Sequence, residues 1–196
     1  MIGDLPGDAG FAAGLFGRRV VFLRGPIDDE RAGHLALALM TLDADGDEPV
    51  ELRVDGEGGT LAGAFAVIDT LDLLGVPVHA TCAGRATGAV LAAFACCMRR
   101  RVTPHAWVRL EWPTGAFDGA AGDVEAWLDA HAADAARFVT RLAAATGRPE
   151  DRCRADLDAR RAFDAHDAVR YGLADEIAGG PPASPIRLID PGTDEA

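Results

Sequence analysis

Along the first half of the chain, apolar residues come in short blocks separated by turn residues. RRVVFLRG (18–25) reads as a buried strand closed by Gly25-Pro26, and VELRVDG (50–56) alternates as a half-buried strand does. VPVHATCAG (76–84) is a third strand, and the chain from 106 to 112 is a fourth. Between the strands the period changes. Asp28 or Asp29 can cap a helix carrying Ala32, Leu35, Leu37, Leu39 and Leu42. Gly58-Gly59 opens an apolar helix within 58–75, and a tight turn at Gly84 leads into a buried helix over 86–98. Within 123–147, Val124, Trp127, Leu128, His131, Ala135, Phe138, Val139 and Leu142 recur at helical spacing, with Gly147 as the stop. A shorter helix follows in DAHDAVRYG. Strand alternating with helix predicts an α/β fold with mainly parallel pairing. Residues 1–17 read as a short Gly-rich segment in which FAAGLF can form a helical turn. Residues 18–178 form the domain, and 179–196 are a Gly/Pro-rich tail with little core.

Composition narrows the chemistry. The 196 residues suffice for one domain with a substantial core, and the net charge of −12 argues against nucleic acid or an anionic membrane as partner. Every Lys/Arg position is Arg, so no Ser–Lys dyad, Schiff base or P-loop lysine is available. The only serine, Ser184, lies in the tail, whereas a serine hydrolase needs its nucleophile on a rigid element. Cys82, Cys96, Cys97 and Cys153 lack C-x-x-C spacing and read as small buried hydrophobes of a reducing cytosol; no metal or disulfide framework is expected. The N-terminus is unlike a signal peptide, and the apolar run 86–98 is too short to span a bilayer, so the expectation is a soluble cytoplasmic protein. Arg99-Arg100-Arg101 reads as a solvated loop or subunit contact, and His34, His79, His131 and His166 as structural or exposed.

VVFLRGPIDDERA, ELRVDGEGGTLAGAFAVIDTL, ATCAGRATGAVLAA and DAVRYGLADEI, in that order and spacing, resemble the proteolytic subunit of the Clp protease over about residues 18–178. The resemblance implies the ClpP/crotonase superfold: a repeated ββα superhelical core with a projecting handle helix, here 123–147, that joins two rings. It also implies a site. Gly58 and Gly59 match the family's Gly-Gly pair, whose backbone N–H groups serve the oxyanion; Leu61 and Gly88 fall on the oxyanion and peptide-binding stretches. The family proline before the pair is Glu57 here.

The triad positions depart from the pattern. The chain is two residues shorter around the nucleophile turn, so the family serine is either deleted or replaced by Thr87. The histidine position is Glu111, and counting back from Tyr171 puts the aspartate position at Arg160, with Asp156 and Asp158 nearby. A carboxylate is a weak base towards a hydroxyl, and an arginine can neither accept a proton nor orient an imidazole. The expectation is a peptidase homologue with a degenerate Ser-His-Asp site and no cofactor. It would act as a structural or regulatory ring component, as a homo-oligomer or with an intact paralogue, and with a Clp ATPase as a further partner. The alternatives are an active peptidase using Thr87 or a crotonase-like acyl-CoA enzyme using Glu111. Glu111 and Arg160 are expected to form an ion pair, buried enough that breaking it costs about 3–5 kcal/mol.

Overall fold

The computed structural model describes residues 13–115 and 119–179. Its elements in chain order are β1 (Val20–Arg24), α1 (Asp29–Asp45), β2 (Val50–Gly56), α2 (Leu61–Leu73), β3 (Val78–Thr87), α3 (Gly88–Ala95), β4 (Arg99–Val102), β5 (Trp107–Arg109), a short 3-10 turn, α4 (Val124–Thr146), α5 (Glu150–Asp158), β6 (Ala162–Asp164), α6 (Ala165–Tyr171) and β7 (Glu176–Ile177). The sheet runs β1-β2-β3-β4-β7, all parallel. This is the mixed α/β architecture the pattern predicts. The N-terminal segment up to residue 12 and the tail from 180 lie outside the described residues; residues 13–16 are helical.

The local causes are legible. Asp28 caps α1 by accepting from the Arg31 N–H, and Ala32, Leu35, Leu39 and Leu42 go into the core. Leu37 does not; it points outward and is 67% exposed. Helix α3 is buried along its whole length, which its Gly, Ala, Val, Leu and Phe residues permit. In α4 only the second half is buried, through Phe138, Val139, Leu142, Ala143 and Thr146, and Gly147 ends it in the left-handed conformation. Its first half stands clear, with Val124 38% and Leu128 53% exposed.

Two expectations need correction. The turn expected at Gly84 falls four residues later, at Gly88. Val54 pairs with Cys82 and Gly56 with Ala86, so β3 carries two more residues than β2 between those pairs. Gly84 makes the bulge possible: its φ is +130°, and a Cβ there would lie 2.5 Å from Asp55 Oδ1. β3 then resumes, and Arg85–Thr87 pairs with β5, which is itself shorter than the 106–112 expected.

Pairing is mainly parallel, as the pattern predicts, with one exception. β6 runs antiparallel to β5, and neither β6 nor α5 is anticipated by the pattern.

Arg99-Arg100-Arg101 is a strand, not a loop. Arg100 Nη1 donates to the carbonyls of Ala145 (2.8 Å), Gly172 (2.9 Å) and Ala95 (3.3 Å), at the ends of α4, α6 and α3. Its backbone N–H and Nε donate to Asp175 Oδ2 at 2.7 and 3.2 Å. Burial works to raise the Asp175 carboxyl, but the hydrogen bonds and charge of Arg100 outweigh it and hold the group below the ordinary value. A lowered carboxyl contributes stability that is complete above the unfolded value of about 3.9 and is lost as pH falls through the folded one. Acid titration followed by circular dichroism should therefore show a steeper loss below about pH 4 for the native chain than for Asp175→Asn.

Candidate functional site

The glycine pair sits where β1, β2 and α2 meet. Gly58 and Gly59 have φ of +75° and +115°. Gly59 bridges Ile27, and a Cβ on it would lie 2.5 Å from the Ile27 oxygen. The chain then enters α2, capped by Thr60, whose hydroxyl accepts from the Gly63 N–H at 2.9 Å.

Several hydrogen-bonding groups along this edge are engaged. The Gly58 N–H donates to the Thr87 oxygen (3.2 Å) and to its Oγ1 (3.1 Å). The Gly59 carbonyl accepts from the Thr114 N–H at 2.8 Å and from its hydroxyl at 3.0 Å, while the Leu61 N–H donates to the Thr114 carbonyl at 3.3 Å. Residues 59–61 thus carry a neighbouring segment of their own chain as a strand-like partner. Leu61 itself is 4% exposed. Glu57 is not free beside the pair: Arg85 Nη1 lies 3.5 Å from its carboxylate.

The strand-to-helix turn opposite places Thr87, the candidate nucleophile, and Gly88 differently. Thr87 is extended, with φ −137° and ψ 158°, and fully buried. Its hydroxyl faces inward onto the Gly58 N–H. The sharp change of direction comes at the next residue, Gly88, with φ +56°. A Cβ there would stand 3.2 Å from Gly58 Cα. The position whose side chain this turn would lift beside the glycine pair is therefore 88, and it carries no side chain. Cys82, earlier on β3, supplies no substitute. Burial, reinforced by Asp55, pushes its thiol up to about 12, so it stays protonated at neutral pH.

Glu111 and Arg160 come together. Arg160 Nη2 lies 3.0 Å from Glu111 Oε2, and Arg109 reaches the same oxygen from Nε (2.9 Å) and Nη2 (2.7 Å). The expected depth of burial is corrected: the Arg160 side chain is 63% exposed and that of Glu111 24%. Such a pair is worth about 0–1 kcal/mol rather than the figure for a buried one. Asp158 accepts instead from Trp112 Nε1 at 2.8 Å. Asp156 lies among Arg152, Arg161 and Tyr171.

Arg160 occupies the left-handed position after α5, with φ +50°; its N–H donates to the Leu157 carbonyl and that of Arg161 to the Asp156 carbonyl. This is the helix stop at which glycine is usual. Arg160→Gly is expected to relieve strain of about 1–2 kcal/mol while losing the exposed ion pair. Thermal unfolding should find the variant at least as stable as the parent; a loss beyond about 2 kcal/mol would mean the pair behaves as a buried one.

Arg109 was accessible from sequence, two residues before Glu111 on the same strand face. Thr114 was not, because only the folded chain brings it to Gly59. Among the described residues no cluster of three or more His, Cys, Asp or Glu is placed to hold a metal, and no helix is long and apolar enough to cross a membrane.

The family model described as Clp protease matches residues 10–180. The chain belongs to the Clp protease family. The ATP-dependent Clp protease proteolytic subunit 1 of Nocardia farcinica (strain IFM 10152) is 35% identical over 166 residues, covering 83% of this chain and 84% of the relative. As a member of the Clp protease family, the chain is a protease-complex subunit by descent.

Proposed function

We propose that this Clp-family subunit builds or regulates a ring rather than hydrolysing peptides itself, with a Ser-His-Asp site that has degenerated. One observation carries the reading. The residue at the sharp turn beside the glycine pair is Gly88, and the adjacent Thr87 hydroxyl is buried against the Gly58 N–H. A nucleophile must be exposed and within reach of a base. Glu111, held by two guanidiniums, and Arg160 in the other two positions support the same conclusion. The Thr87 and Glu111 alternatives are disfavoured by that burial and by those ion pairs.

The assembly role rests on family membership and on the first half of α4, where Val124 and Leu128 present an apolar stripe to solvent. The partner is a second copy or an intact paralogue in a cytoplasmic ring. Co-expression with the organism's intact proteolytic subunit, followed by affinity purification and native mass spectrometry, is expected to recover mixed or homomeric rings. A monomer at micromolar concentration in both preparations would overturn the assembly role.

A further inference from the structure

A groove of about 500 Å³ opens between the start of α5, β6 and the end of α6, and four guanidiniums line it: Arg148, Arg152, Arg161 and Arg170. In a chain of net charge −12 this concentration of positive charge is out of character.

The ion pairs there do not neutralise it. Arg152 Nε (2.8 Å) and Arg161 Nη1 (3.3 Å) share one carboxylate, Asp156, which is 5% exposed and also accepts from the Tyr171 hydroxyl at 2.9 Å. Two cations therefore rest on one anion. Arg170 is matched by Asp167. Arg148 has no carboxylate partner among the described residues. Its Nε donates to the Tyr171 carbonyl (2.8 Å) and its Nη2 to that of Arg170 (2.6 Å), with the guanidinium lying over the Tyr171 ring.

Those contacts fix the Arg148 fork in place and leave its Nη1 without an acceptor among the described residues. The remaining carboxylate, Asp151, is turned to the backbone, accepting the Arg152 N–H at 2.8 Å. With Asp156 beneath the groove counted beside the lining Asp151 and Asp167, the four arginines leave a net charge of about +1.

We infer that this groove binds a phosphate-type oxyanion, small and multiply charged, of the size of phosphate or pyrophosphate. Arginine forks held in place by Asp156 and by helix-end carbonyls suit such an anion, because bidentate guanidinium donation matches its geometry and little ordering is left to be done on binding. The inference is independent of the reading of the Gly58–Gly88 region and would stand if that reading failed.

The test is isothermal titration of the full chain, in its native assembly state, with inorganic pyrophosphate and separately with orthophosphate, against sodium chloride at matched ionic strength. Saturable binding is expected with pyrophosphate tighter than phosphate, and Arg148→Gln should weaken it at least tenfold. Because Arg148 also holds the end of α6, Arg152→Gln is the companion variant: that side chain is 52% exposed, Asp156 keeps Arg161, and binding should still weaken severalfold. Absence of saturable binding, a response that chloride reproduces, or undiminished affinity in both folded variants would overturn the proposal.

Discussion

Gly59→Ala is expected to lose about 4 kcal/mol or more of folding stability, while Gly58→Ala loses about 1 kcal/mol. The two glycines are adjacent and both left-handed, yet their surroundings differ. A Cβ on Gly59 would lie 2.5 Å from the Ile27 oxygen, 2.7 Å from its nitrogen and 2.9 Å from the Ala89 Cβ, whereas one on Gly58 meets nothing within 4 Å. The obstructing atoms are backbone, and the Ile27 oxygen is also fixed by the Thr60 N–H at 2.9 Å. Relief would separate β1 from the start of α2. Against a total stability of about 5–15 kcal/mol, such a loss leaves a marginal protein. Urea denaturation of both variants at one protein concentration checks the contrast; equal losses would refute the close-approach argument.

Arg100→Ala should destabilise by about 3–5 kcal/mol, since it removes a buried charge and strands its partners. The Arg100 side chain is 13% exposed and holds the carbonyl ends of three helices as well as Asp175. Each orphaned buried carbonyl carries a desolvation penalty, and the helix C-termini lose the cation that complements their dipoles. Arg100→Lys should recover less than half of the loss, because one ammonium cannot reproduce the planar fork. Arg99→Ala, at a side chain 55% exposed, is expected to change stability by no more than about 0.5 kcal/mol. Thermal unfolding of the three variants would contradict this account if Arg99→Ala and Arg100→Ala were alike.

Helices α1 to α3 and strands β1 to β3 were legible because their apolar residues follow periods of 3.6 and 2 and because glycine and aspartate punctuate them. The same logic misplaced Arg100. Three consecutive arginines read as surface, and nothing local reveals three helix ends converging on the middle one. Helix α5 was missed because its inward residues are Cys153, Asp156 and Leu157, too polar a set to register as a stripe.

The position of the turn was hidden for a different reason. The bulge that carries β3 from Gly84 to Thr87 depends on Asp55 of the neighbouring strand, so position 88 emerges only from pairing register. Glu111 and Arg160 were reachable through the order of family motifs. Their exposure was not, because it depends on where the helix stop at Arg160 leaves the side chain.

This subunit is expected to bring no nucleophile of its own to the site. Intact-mass spectrometry after incubation with a fluorophosphonate probe tests it most directly, with an active serine hydrolase treated in parallel. A labelled control and an unmodified chain are expected. A stoichiometric adduct on this chain, mapped to Thr87 by peptide sequencing and abolished by Thr87→Ala, would contradict it.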